Sequence, residues 1–180
     1  MNIPSDDNKC FLWCVIAHFK DLAHDAQRVS HYMCHESEYN MKGISYPVEL
    51  NKIAKFTKQN DISVTVLFYD PAAKSGKYFE DEMGKKIPEY GAFGILYSPK
   101  EVLKKHVNLL LISNDYTSHY VLIRNMSRLV HSFTKTHNGQ AFFCHKCLSS
   151  YQSEEKLKAH LNYCGHFRPQ AVECPDEKTL

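Results

Sequence analysis

Apolar residues recur at helical spacing through the first sixty residues of the chain. The run from Cys10 to Phe19 is almost wholly apolar, and its large side chains lie three or four residues apart, which predicts a buried helix ending near Lys20. The residues that could cap its amino end are Asp6, Asp7 and Asn8. The same spacing predicts a second helix over residues 31–39 and a third from Pro47, because proline suits the first position of a helix. Helices are therefore expected before the first strand.

The pattern after residue 61 changes to short runs rich in β-branched and aromatic residues, which favour strands. These runs begin at Ile62, Phe93, Val107 and His119. A polar turn at residues 114–118 separates the last two runs, which predicts an antiparallel hairpin whose register stays open. Residues 71–92 contain three glycines and two prolines and follow neither a helical nor a strand period, so a long loop is expected there.

These elements predict an α+β domain over residues 1–139, with helices packed on a small antiparallel sheet. A helix after the hairpin would stop at Asn138 and Gly139, a common end signal. A finger at residues 140–166 and a short tail at 167–180 complete the expected organisation. A chain of 180 residues with 43% apolar and 23% charged residues is long enough for one core of this kind.

Charge and cysteine content narrow the class of protein. The formal net charge is only +2, so no strong electrostatic field singles out nucleic acid or an anionic membrane as the partner. The longest apolar run is about half of a bilayer span, and the amino terminus lacks the pattern of a secretory signal. Seven cysteines, an odd number that includes three at metal-binding spacing, favour reduced thiols. An intracellular location is therefore expected, and the nucleus is compatible with it.

The best-defined chemical pattern lies near the carboxyl end, at Cys144, Cys147, His160 and Cys164. Two residues separate the first pair, twelve separate that pair from the histidine, and three separate the histidine from the last cysteine. A turn can hold the two close cysteines, while residues four apart on a helix project on the same side, so that four ligands can surround one zinc ion. The spacing therefore predicts a zinc site, and chance spacing among cysteines is the alternative.

Apolar residues around this pattern favour a ββα zinc finger. With Phe142, Tyr151 and Leu157 included, the segment resembles the two-cysteine, two-histidine zinc finger at all seven positions, with a cysteine in place of the final histidine. By this resemblance, the positions that face bases in DNA-reading fingers are Ser153, Lys156 and Ala159. Only the lysine is basic, and Glu154 and Glu155 would oppose phosphate at the start of the helix. Contact with protein is as well supported as contact with nucleic acid.

A second constellation consists of Cys10 at the start of the first helix and His119 at the start of the last strand. The helix dipole favours a thiolate at this position. The order of cysteine and distant histidine resembles that of papain-like cysteine peptidases and ovarian-tumour-type deubiquitinases, and in the second family an aspartate also stands three residues before the cysteine, as Asp7 does here. Asn114 or Asp115, across the turn, could orient the histidine ring. Such an enzyme would act on a peptide or a ubiquitin-like protein.

The alternative to a catalytic pair is structural. Cys10 would then be a small buried hydrophobic residue, and His119 would be a turn residue with a satisfied hydrogen bond. The order of the two residues along the chain does not decide between these interpretations.

The linear order of the whole chain resembles the leader region that precedes the protein-primed family B DNA polymerase in Polinton, or Maverick, transposons. The resemblance runs through NKCFLW, YPVELNKIAKFTKQNDISVTV, HVNLLLIS and SHYVLIRNMSRLV to the finger. It implies an origin in a mobile element and a papain-like fold, active or decayed. A carboxylate-bearing polymerase motif does not occur, so polymerase activity is not expected of these residues.

The leading hypothesis from the sequence is a zinc-binding, non-catalytic interaction module that contacts nucleic acid or protein through its finger. The alternative is a papain-like cysteine peptidase or deubiquitinase that uses Cys10 and His119.

Overall fold

The computed structural model describes residues 1–80, 83–113, 117–129 and 141–164, with side chains described at all of these positions except 73–80, 87–90 and 92. Helices, a four-stranded sheet and a two-stranded sheet make up this part of the chain. The predicted α+β class is therefore confirmed.

Two α-helices form where the apolar spacing predicts them, α1 over Cys10–Lys20 and α2 over Leu50–Asn60. α2 begins three residues later than predicted from Pro47, because the backbone at Glu49 is still extended. Both helices end at an aspartate with left-handed backbone, Asp21 and Asp61, a conformation that aspartate tolerates better than most residues.

The helix predicted over residues 31–39 takes another form. The chain makes two short 3₁₀ helices there, Val29–His31 and Met33–Glu38, and no residue within either of them is buried. A short segment without an apolar stripe against the core gains too little from packing to form a regular α-helix.

α1 is the central helix of the molecule, since every residue from Cys10 to Ala17 is buried. Its N-cap position is Lys9, and no side chain caps the helix directly. The Asp7 carboxylate instead accepts hydrogen bonds from the backbone N–H of Lys9 and from the indole N–H of Trp13, each at 3.0 Å. This carboxylate ties the chain before the helix to the first turn.

The larger sheet has the order β2-β1-β3-β4, with β1 at Ser63–Glu80, β2 at Lys86–Tyr97, β3 at His106–Ser113 and β4 at Ser118–Leu122. The hairpin predicted for the last two strands is confirmed, because β3 and β4 are antiparallel with Ser113 opposite Ser118. β1 and β3 run parallel, so the sheet is mixed rather than wholly antiparallel.

The prediction of a long loop at residues 71–92 is wrong. The described residues there belong mainly to β1 and β2, which pair antiparallel from Val66 with Tyr97 to Glu80 with Lys86. The register of this ribbon shifts at three points. Each shift interrupts the two-residue alternation by which a strand is identified in a sequence, so the ribbon has no readable period.

One face of the larger sheet packs against α1 and α2 and forms the core. The strand residues in this core are Val64, Val66, Val107, Leu109, Tyr120 and Leu122. Because alternate residues of a strand point to opposite faces, His106, Asn108 and His119 lie on the other face of the sheet, together with Ser63. This second face carries the polar groups discussed below.

The predicted ββα finger is present, with β5 at Phe142–Phe143, β6 at Ser150–Tyr151 and α3 at Glu154–Cys164. Residues 126–129 are helical, where a helix after the hairpin was predicted. The rest of that helix, the boundary at residue 139 and the tail at 167–180 lie outside the described residues. Within the described part of the chain, no helix has the length and apolar character needed to cross a membrane.

Candidate metal centre

The four predicted zinc ligands meet at one point of the finger. The ligand atoms of Cys144, Cys147, His160 and Cys164 all lie within 4.8 Å of one another. The sulfurs of Cys144 and Cys164 are 3.7 Å apart, and the Cys147 sulfur lies 3.3 Å from Nε2 of His160. Zinc–sulfur bonds of 2.3 Å and zinc–nitrogen bonds near 2.0 Å place the corners of a tetrahedron about 3.8 Å and about 3.5 Å apart. These two distances match the edges of a tetrahedral metal site, and all four ligand atoms lie close enough together to hold one metal ion.

The turn between β5 and β6 presents the first two ligands. Within this turn the backbone N–H of Leu148 donates to the carbonyl of Cys144 at 2.9 Å, and the N–H of Cys144 donates to the carbonyl of Ser149 at 3.0 Å. The N–H of Lys146 points at the Cys144 sulfur, 3.4 Å away. These backbone contacts fix the turn that carries Cys144 and Cys147. We call residues 144–147 the knuckle.

α3 presents the other two ligands. His160 and Cys164 are four residues apart in the helix and therefore share a face, one turn from each other. The ring of Tyr151 packs beside the ring of His160, with 4.9 Å between centroids, and Phe142 stands opposite Tyr151 in the small sheet. These aromatic contacts hold the histidine where the knuckle can share a metal with it.

The surroundings of the site shift the pKa values of two of its thiols in opposite directions. Burial disfavours the Cys147 thiolate, but hydrogen bonds from Ser149, joined by those from Cys144 and Cys164, outweigh this and lower the pKa of Cys147 to about 7. Burial, joined by the neighbouring sulfurs of Cys144 and Cys147, raises the pKa of Cys164 to about 12. Thiolates this close together repel each other without a cation among them, and a divalent cation removes that repulsion. The cluster is thus chemically suited to a metal ion.

The inner side of the finger rests on the second face of the larger sheet. Cys144 is 0% exposed and Phe143 8% exposed, whereas no residue of α3 is buried. The hairpin of the finger therefore faces the sheet, and its helix faces outward. The backbone N–H of Ala141 also donates to the Ser127 hydroxyl at 2.9 Å, which fixes the approach to β5.

Two histidines that the sequence reasoning missed lie at this contact. Nδ1 of His145, in the knuckle, lies 3.0 Å from the Asn108 amide oxygen, and Nε2 of His106 lies 3.1 Å from the same oxygen. The two rings stack obliquely, with 4.3 Å between centroids. His145 stands between Cys144 and Cys147 but is not itself a ligand, so the metal-binding spacing places no restriction on the residue at this position. The sequence feature that could have drawn attention to His145 is a histidine inside the motif that has no role as a ligand.

The environment of these histidines disfavours the charged form of both rings. The Ser63 hydroxyl lies 2.8 Å from Nδ1 of His106. Burial, with a smaller effect from the neighbouring His145, lowers the pKa of His106 to about 4, and burial also lowers the pKa of His145. A neutral His106 ring matches its contacts, because it donates one hydrogen bond to Asn108 and accepts one from Ser63.

The predicted catalytic residues are placed differently from the zinc ligands. Cys10 is 4% exposed, and its sulfur accepts the backbone N–H of Tyr120 at 3.4 Å. His119 precedes Tyr120 in β4, so its ring lies on the face of the sheet away from α1. Nε2 of His119 lies 2.7 Å from the side-chain oxygen of Asn2, and burial lowers its pKa.

The structure thus brings the Cys10 sulfur to the backbone of the residue that follows His119, while the His119 ring contacts Asn2. Among the described residues, no hydrogen bond joins Cys10 to His119. Asn114 and Asp115, the predicted orienting residues, lie outside the described residues.

Comparison with known proteins does not identify a family for this chain. The chain matches no protein-family model, no curated protein and no solved structure. A function for this chain is therefore inferred from the site itself.

Proposed function

We propose that this chain is a zinc-binding, non-catalytic interaction module. The observation that carries the proposal is the convergence of four ligand atoms, three sulfurs and one imidazole nitrogen, within 4.8 Å. Four protein ligands complete a tetrahedral shell, which is the arrangement of structural zinc sites, whereas catalytic zinc keeps one position for water or substrate. The zinc would stabilise the finger rather than take part in a reaction.

The orientation of the finger supports a role in contact with a macromolecule. α3 faces outward, and its exposed side chains include Leu161 and Tyr163, the second of which is 70% exposed. Glu154 and Glu155 stand in the first turn, and Lys158 forms an ion pair with Glu154 at 2.9 Å. These charges oppose phosphate and favour a protein partner. Zinc-dependent binding to short duplex DNA would contradict this choice of partner.

The proposal includes an origin in a mobile element. It is supported by the ordered sequence resemblance to the Polinton leader region, in which the finger is the best-defined segment. Peptidase activity is not included, because among the described residues no hydrogen bond joins Cys10 to His119, whose ring contacts Asn2 instead.

Zinc content tests the proposal. The purified chain is expected to hold one zinc per molecule by elemental analysis, and Cys147→Ser is expected to lose it, because three remaining ligands cannot close the shell. Cys34→Ser, at an exposed cysteine outside the cluster, is the matched control and should retain the metal. A metal content near zero in the natural chain would contradict the proposal.

A further inference from the structure

The side chain of His145 connects the knuckle to the larger sheet. It comes from between two metal ligands, yet it reaches away from them to the Asn108 oxygen in β3, 3.0 Å from its Nδ1. The backbone carbonyl of the same residue accepts the Ser98 hydroxyl at 3.3 Å. Both ends of His145 are therefore held by the sheet and by the segment that follows β2.

Asn108 joins this contact to the sheet. Its single amide oxygen is the common acceptor for Nε2 of His106 and Nδ1 of His145, so both nitrogens must carry protons. The other nitrogen of His106 then accepts the hydroxyl of Ser63, on the neighbouring strand β1. The chain of contacts runs from the knuckle through β3 to β1, the two parallel strands at the centre of the sheet.

This network depends on the shape of the knuckle. Its partners are partly buried beneath the finger, and a buried amide oxygen that loses a donor costs free energy. The knuckle has its native shape when Cys144 and Cys147 share a metal ion with α3, and small fingers of this kind lose their fold when the metal leaves. Metal release would therefore remove a donor from Asn108 and uncover the second face of the sheet.

We infer that zinc binding in the finger and the stability of the α+β core are linked through the contact of His145 with Asn108. This inference rests on the proposed zinc site and goes beyond it, because a finger that merely followed the core along the chain would bind zinc without affecting the core. Linkage is reciprocal, so the core also tightens the binding of zinc.

The single tryptophan allows a direct test. Trp13 is buried in α1, so its fluorescence in a urea titration reports the unfolding of the core. The full chain is titrated with zinc bound and again after a chelator has removed the zinc. We expect the Trp13 midpoint to fall to a lower urea concentration on chelation, because a ligand that binds only the folded state stabilises it.

Two variants locate the link. His145→Ala keeps all four ligands and should still bind zinc, but its Trp13 midpoint should respond much less to chelation. Lys146→Ala, at the next position in the knuckle, is the matched control and should respond like the natural chain. Asn108→Ala tests the sheet side of the contact and should weaken zinc binding about threefold to tenfold, the effect of one lost hydrogen bond.

The outcomes separate this inference from the proposal beneath it. A chain that binds one zinc but whose Trp13 midpoint ignores chelation would overturn the link and leave the zinc site standing. If chelation lowers the Trp13 midpoint of both His145→Ala and Asn108→Ala as much as that of the natural chain, the link does not run through this contact. Failure to bind zinc at all, measured before the titrations, would overturn the proposed function itself.

Discussion

The ring of His106 has a protonation state imposed by its surroundings. The lowered pKa, about 4, lies below the value of about 6.5 expected in the unfolded chain. A proton then binds the unfolded chain more readily than the folded one, so the stability that the neutral ring contributes is complete above about pH 6.5 and is lost as the pH falls toward 4.

We expect the natural chain to lose about 2 kcal/mol of unfolding free energy through this one ring between pH 7.5 and pH 5. His106→Gln should flatten that part of the dependence, because an amide can keep both hydrogen bonds without titrating. Urea titrations at the two pH values measure the difference, and His24→Gln, at an exposed histidine, is the control. An equal loss in both variants would show that His106 does not titrate in this range.

Cysteine reactivity distinguishes a structural Cys10 from a nucleophile. Its sulfur is buried against the backbone of β4, whereas Cys34 is exposed. In the folded chain we expect iodoacetamide to modify Cys34 and to leave Cys10 unmodified until urea unfolds the core, as peptide mass spectrometry would show. Faster modification of Cys10 than of Cys34 would revive the peptidase hypothesis.

At the scale of elements, one aromatic side chain joins two helices and a strand. Phe11 of α1 meets the ring of Phe56 in α2 at 5.1 Å and the ring of Tyr120 in β4 at 5.3 Å, both edge to face. The Tyr120 hydroxyl in turn donates to the carbonyl of Val48 at 2.8 Å, just before α2. This cluster fixes the positions of the three elements relative to one another.

Removal of the Phe11 ring should weaken the packing of all three elements against one another. Phe11→Ala is expected to lower the unfolding free energy by about 3–5 kcal/mol, because it leaves a cavity as well as losing apolar burial. Phe19→Ala, at the exposed end of the same helix, should cost far less. Circular dichroism in urea titrations compares the two, and a loss below about 1 kcal/mol for Phe11→Ala would contradict the role given to this ring.

Elements with local signals could be predicted from the sequence. The apolar run of α1, the β3–β4 hairpin and the ligand spacing of the finger each depend on residues near one another in the chain, and all three are present. The β1–β2 ribbon was missed because its register shifts break the alternation. The parallel pairing of β1 with β3 was missed because a crossover leaves no local pattern.

The candidate site likewise has a part that could be predicted from the sequence and a part that could not. The Cys/His cluster is encoded in a short segment, so its four residues could be named from the sequence. The contact between His145 and Asn108 joins residues 37 positions apart, and it exists only after the sheet has formed. The face from which His119 projects likewise depends on the registration of β4 against its neighbours.

At the scale of the whole molecule, the finger and the sheet form one structure rather than two modules in sequence. Ser98 and Asn108 contact His145 in the knuckle, and Ser127 contacts Ala141, just before β5. The stability of the whole chain should therefore depend on metal supply, as the titration of Trp13 would measure.

The outward position of α3 has a consequence for how such a chain could change over time. None of its residues is fully buried, so apart from the two ligands and the half-buried Leu157 its positions can accept new side chains with little effect on the folded state. The knuckle and the network beneath it allow far less variation. A new binding specificity could thus arise by substitutions on one helix, while the scaffold that holds the helix stays the same.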